Sequence, residues 1–164
     1  MTSMARRVLC AFAVLVLALT GGLVAAAPAP ADTTPAPLLT GIRTGLHPDF
    51  DRIVLDMSGP QPTATTYRYT DELTQDASGQ IVWLTGADFV EVVVQGAAAH
   101  DDLGNPTYLG PDKFRTRNLT NVMAVALTGD FEATLSVGVG TRHRGWVRVF
   151  TLSAPTRVVI DVGH

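Results

Sequence analysis

Three groups of side chains in this chain have the types and spacing to do chemistry. His100, Asp101 and Asp102 with Asn105 place oxygen donors in one loop, a set that suits a hard cation such as calcium. Acidic loop tips are ordinarily solvated, so no metal is expected there. Asp49, Asp51 and Asp56 bring carboxylates together in a short stretch, the raw material for acid and base in glycoside cleavage. A strand that begins at Asp51 sends Asp51 and Asp56 to opposite faces and leaves Asp49 in a turn, which weakens that reading. Tyr108, Arg115 and Arg117 form the third group. An arginine fork matches the carboxylates of peptide stems or acidic glycans, and loops carry binding residues disproportionately.

Further ligand-binding candidates follow from the same chemistry. Tyr67 and Tyr69 share one face of a strand, and Arg142 and Arg144 flank His143 in what reads as a basic hairpin tip. Trp146 and Phe150 share a face with Arg148, but large aromatics in strands are more often core, and Trp83 is read as core too. No Gly-x-Ser-x-Gly elbow occurs, and His47, His100, His143 and His164 are scattered without metal-ligand spacing. Asn118-Leu119-Thr120 matches a glycosylation acceptor, an accidental match beside a bacterial type of leader. No catalytic residue and no cofactor is expected.

The elements that would position these residues begin after a leader. Arg6 and Arg7 form a positive start, residues 8–19 are almost unbroken apolar, and Ala29-Pro30-Ala31 supplies a signal-peptidase site, so residues 1–31 read as a signal peptide with a helical core. An uncleaved anchor over residues 8–27, a lipoprotein and twin-arginine export are rival readings. Cys10, the only cysteine, leaves with the leader, which excludes disulfides and thiol chemistry from the exported domain. Two of the 12 basic residues lie in the leader and all 15 acids follow it, leaving ten against 15 and a formal charge of −5. Such a balance disfavours nucleic acid, and a membrane partner would come only through a retained leader. Residues 32–38 read as a Pro, Ala and Thr tether.

Beyond the tether the chain alternates strands and turns. Strands are expected at 39–46, 52–57, 65–69, 81–84, 89–95, 121–127, 131–139, 146–152 and 157–162, with no helical spacing. About nine short strands imply an all-β domain over 39–164, either an antiparallel β-sandwich or a curled sheet. Periodicity lapses over 97–118, a length that marks loops as functional or disordered. One phrase recurs: Arg52-Ile53-Val54-Leu55-Asp56 and Arg157-Val158-Val159-Ile160-Asp161. If these strands are antiparallel neighbours, Arg52 faces Asp161 and Arg157 faces Asp56, two cross-strand pairs of about 0.2–1 kcal/mol each. Exchanging Arg52 and Asp161 should then restore the stability that either single reversal loses.

Several stretches together resemble a known family. They are Ile42-Arg43-Thr44-Gly45-Leu46-His47, Phe50 to Leu55, Gly129-Asp130-Phe131-Glu132, and the ending from Arg148 to Val162. In this order they resemble the AMIN-like domain of exported actinobacterial proteins, related to the AMIN envelope-targeting domain, across nearly the whole exported portion. The resemblance implies a β-rich, non-enzymatic module, secreted or envelope-associated, that binds peptidoglycan, another envelope glycan or an envelope protein. No catalytic domain follows, so the module is expected to act alone or to recruit a partner. A small cell-wall hydrolase using carboxylates near the first strands is one alternative. An adaptor that adds a partner's strand to its sheet is another.

Overall fold

Alternation of apolar and polar residues along the second strand dictates a half-buried sheet. Ile53, Leu55 and Met57 point inward and are buried, while Arg52, Val54 and Asp56 point outward. The computed structural model describes residues 35–164; the expected leader lies outside the described residues. Nine strands follow one another: β1 (Leu38–Leu46), β2 (Phe50–Ser58), β3 (Ala64–Thr70), β4 (Asp88–Gln95), β5 (Lys113–Arg115), β6 (Val122–Phe131), β7 (Thr134–Thr141), β8 (Val147–Leu152) and β9 (Arg157–Gly163). They form two antiparallel sheets, β1-β2-β9-β8 and β3-β4-β7-β6-β5, and no described residue is helical.

The repeated phrase supplies the centre of the four-stranded sheet. Strands β2 and β9 are antiparallel neighbours with Arg52 opposite Asp161 and Asp56 opposite Arg157. Val158, Ile160 and Val162 of β9 turn inward with Ile53 and Leu55. Against them stand Val90, Val92 and Val94 of β4 and Leu135, Val137 and Val139 of β7. Full burial of each such side chain contributes about 1.5–3 kcal/mol, so this apolar interior is the main source of stability.

Two expected strands are corrected. Residues 131–139 are not continuous: β6 ends at Phe131, and Glu132 and Ala133, both with positive φ, turn the chain into β7. Positive φ at two successive residues is the geometry of a tight hairpin, which alternation alone cannot distinguish from a strand. Residues 81–84 form no strand and only Ile81 makes a bridge, to Thr74. The ninth strand is instead β5, inside the segment expected to be one long loop.

That long segment closes one open side of the sandwich. Ala98 bonds back to Pro37 and Leu39, the Thr107 hydroxyl donates to the Leu39 carbonyl, and Leu127 N–H donates to Asp112. Residues 71–87 do something different: they lie across the outer face of the five-stranded sheet. Three rungs of small outward residues, Ala124 with Gly140, Ala126 with Gly138 and Gly129 with Ser136, let this flap approach closely. Leu73 lies against Gly138, Asp76 over Gly129, and the Thr85 carbonyl against Gly140, where a Cβ would collide with each. The bulge between Leu127 and Gly129 frees the Thr128 carbonyl, and Asp76 N–H fills it at 2.9 Å.

Candidate functional site

The outer face of the four-stranded sheet carries the densest set of exposed recognition groups. Its rungs follow from strand register. Phe50 of β2 stands opposite Gly163 of β9, and Gly163 bonds back to Trp146 just ahead of β8. Next come Arg52, Asp161 and Arg148 in one row, then Val54, Val159 and Phe150. The Trp146 ring occupies the place a Cβ on Gly163 would need, so glycine seats the indole. Phe50 leans on Trp146 with ring centres 5.8 Å apart, and His47 stacks on Phe50 at 4.4 Å. Trp146 remains 50 % exposed. Among the described residues no loop hydrogen-bonds across this face.

Arginines fix the platform in place. Asp161 is fully buried although it points outward, because two guanidiniums cover it. Arg52 donates from Nε and Nη2 at 2.7 and 2.9 Å, and Arg148 donates from Nη2 at 2.6 Å. Burial opposes the Asp161 charge, but the two arginines outweigh it and hold the carboxyl below its usual range. Arg52 lies over Phe50 and Phe150, at 5.1 and 5.8 Å, and Arg148 lies over Phe150 at 5.0 Å. The row carries two cations on one anion. Below it, Arg43 grips Asp56 through two bonds of 2.6 and 2.7 Å, while Arg157, the expected partner, stands opposite without taking that grip.

The expectation that the two tryptophans are core is overturned. Trp146 points outward, and Trp83, 79 % exposed, sits in the flap and not on a strand. Outward and inward strand positions carry the same alternation, so periodicity alone could not tell which face was solvent. The useful signal was the sequence company of Trp146: Arg148 and Phe150 at spacing two are a poor match for a core face.

The other expected residues are scattered. Tyr67 and Tyr69 do share a face, but it is the inward face of edge strand β3, in register with Val92 and Val90. Tyr69 packs on the core and its hydroxyl donates to the Gly145 carbonyl, with Arg144 lying 4.6 Å above the ring. Tyr67 is exposed at 45 %. Arg142 and Arg144 do not form a hairpin tip, because residues between β7 and β8 cross from one sheet to the other. Arg142 Nε donates to the Thr120 carbonyl at 2.9 Å while Arg144 turns toward Tyr69 and Asp88. Tyr108 packs against the core with its hydroxyl donating to Pro111, away from the hollows that Arg115 lines. Arg117 is exposed beside them in sequence.

The acidic candidates are occupied structurally. Asp101 accepts bonds from Leu103 N, Asn105 N and Asn105 Nδ2 within its own loop, and Asp102 is exposed. No three His, Cys, Asp or Glu among the described residues are grouped to hold a metal. Asp51 points inward and is fully buried. It accepts from the backbone of Thr120, Asn121 and Val122 and from His164 Nε2, at 2.6–3.2 Å. Burial raises its carboxyl, but those donors outweigh burial and hold it below the usual range. Its oxygens are spent on the fold, so it is unsuited to serve as acid or base. Asn121, also buried, ties the same end together through Gly163, His143 and Arg142.

Comparison with curated proteins and with solved structures finds no match. A family model described as AMIN-like domain matches residues 37–164, the whole two-sheet body with its outward aromatic platform, and the chain therefore belongs to the AMIN-like domain family.

Proposed function

We propose that this chain is a non-enzymatic, envelope-directed binding module that engages wall glycan with the outer face of the four-stranded sheet. Membership in the AMIN-like family supports envelope association. One observation carries the choice of surface: Trp146, Phe50, His47 and Phe150 face outward on a sheet that no described loop hydrogen-bonds across, while residues 71–87 lie over the β6–β7 part of the opposite outer face. The half-exposed indole of Trp146, tilted 57° to Phe50, can pack on the apolar face of a sugar ring, and Arg148 beside it offers donors to the sugar hydroxyls. The spent carboxylate of Asp51 favours recognition over hydrolysis.

Purified full chain should be retained on sacculi stripped of their secondary anionic polymers, and should leave no clearing in a peptidoglycan zymogram. Trp146→Ala should reduce retention about tenfold or more, as loss of a central aromatic anchor does, with the urea midpoint little changed. A parent chain that washes through, a Trp146→Ala variant retained equally well, or a cleared zymogram overturns the proposal.

A further inference from the structure

A second surface is distinguished by unspent positive charge. Arg43, Arg52, Arg68, Arg144 and Arg148 each reach a carboxylate within 3.7 Å. Arg157 stands opposite Asp56 and helps keep it ionised. The remaining cations, Lys113, Arg115, Arg117 and Arg142, form no ion pair among the described residues, and all gather around β5 and the segment that follows it.

Three of them line one groove. Two adjoining hollows of about 190 and 170 Å³ share Thr85 and Arg115; Trp83 and Lys113 border the first, and Arg142 borders the second. No acidic residue lines either hollow. The Arg142 guanidinium is anchored through Nε to the Thr120 carbonyl, which leaves its other donors free. Trp83, 79 % exposed, presents its ring at one end. Like charges gathered without partners repel, and they do so here on a domain, residues 39–164, whose ten basic and 14 acidic residues leave a formal balance of −4. Among the described residues no acidic side chain lines the groove to offset them.

We propose that this groove binds a sugar polymer bearing oxyanions, with a ring on Trp83 and its phosphate or carboxylate between Arg115, Lys113 and Arg142. Guanidinium forks fit both oxyanions, and the indole selects a glycan over an extended acidic peptide. The surface is separate from the aromatic platform, so the two sites can grip different wall polymers at once and gain by linkage.

The chain has two tryptophans, one on each surface, which makes the sites separately readable. In a Trp146→Phe variant the remaining fluorescence reports the groove. Titration with polygalacturonate, a sugar polymer bearing carboxylates, or with phosphomannan, a sugar polymer bearing phosphates, should give saturable quenching, and whichever of them binds identifies the oxyanion. Arg115→Gln should weaken it about tenfold, and raising salt from about 50 to about 500 mM should weaken it further. Lys113→Gln, on an exposed side chain, is the second variant should Arg115→Gln unfold. Silence toward both polymers, an equal response to a neutral chitin oligomer, or titrations unmoved by both variants overturns the proposal. A Trp83→Phe variant titrated with the chitin oligomer reports the platform alone, so failure there sinks the earlier reading and leaves this one standing.

Discussion

The two outer faces of this sandwich are built from opposite materials. On the five-stranded sheet the outward residues of β6 and β7 are Ala124, Ala126, Gly129, Ser136, Gly138 and Gly140, and the flap 71–87 lies directly on them. On the four-stranded sheet the outward residues are Phe50, Arg52, Trp146, Arg148, Phe150 and Asp161, and no described segment hydrogen-bonds over them. Small residues admit the chain's own backbone; large rings and guanidiniums keep it away. By this contrast the β6–β7 part of one outer face is spent on the chain's own fold, while the other outer face leaves rings and guanidiniums accessible.

If that division is right, removing a group from the interior should be far more damaging than altering the open face, and two carboxylates test it. Asp51 and Asp161 are both fully buried. Asp51→Ala strands two buried backbone N–H groups, those of Asn121 and Val122, and also releases the Thr120 N–H, and should cost about 3–5 kcal/mol in urea unfolding. Asp161 is covered only by mobile arginine side chains that can swing into water, so Asp161→Ala should cost clearly less. Acid behaviour follows the same logic. Both carboxyls are held below their usual range, so their stabilisation is complete above the unfolded value near ~3.9 and is lost as pH falls through the folded values. The midpoint should be flat from neutral pH down to about 5 and fall below about 4, with a shallower fall in Asp51→Asn. Equal losses in the two alanine variants would break the distinction.

Much of this fold was legible in the chain because β-strand alternation reports burial directly. The repeated Arg-to-Asp phrase named the central pair β2 and β9 and their register, since only an antiparallel arrangement sets Arg52 against Asp161. What escaped was information carried by contacts distant in sequence. The flap is signalled by glycines at 129, 138 and 140, more than forty residues from the segment they admit. Glu132-Ala133 turns without Gly or Asn, so the β6–β7 hairpin left no turn mark. The platform was hidden because its apolar members alternate as core residues do; Arg148 beside Trp146 was the one sequence mark against a core face, and the sheet order then shows which face is open.

Glycine substitutions carry the contrast between faces to a middle scale of effect. A Cβ at Gly140 meets the Thr85 backbone carbonyl, which cannot rotate away, so Gly140→Ala should cost about 2–3 kcal/mol and lift the flap. Faster hydrogen exchange at Val82, whose N–H donates to Leu73, would report that lifting. A Cβ at Gly163 meets the Trp146 ring first, a half-exposed side chain and not fixed backbone. Gly163→Ala should cost less than about 1 kcal/mol, yet displace the indole and lower retention on sacculi. Comparable destabilisation by the two alanines would mean that the platform is as much a part of the fold as the flap.

The ion row of the open face gives an effect well below that of Gly140→Ala, and its smallest part is the share that a double reversal fails to recover. Arg52→Asp removes one bidentate pair and sets two carboxylates side by side, for a loss of about 1 kcal/mol. Asp161→Arg should lose a similar amount by collecting three guanidiniums in one row. A simple cross-strand pair would recover fully in the double reversal. Here Arg148 still faces position 161, so the exchanged pair forms beside an unneutralised cation and only about half of the loss should return. Adding Arg148→Gln to the double variant removes that repulsion and should complete the rescue. Full recovery without it would show that Arg148 is a bystander, and the open face would then hold one ordinary ion pair in place of a shared, two-arginine clamp.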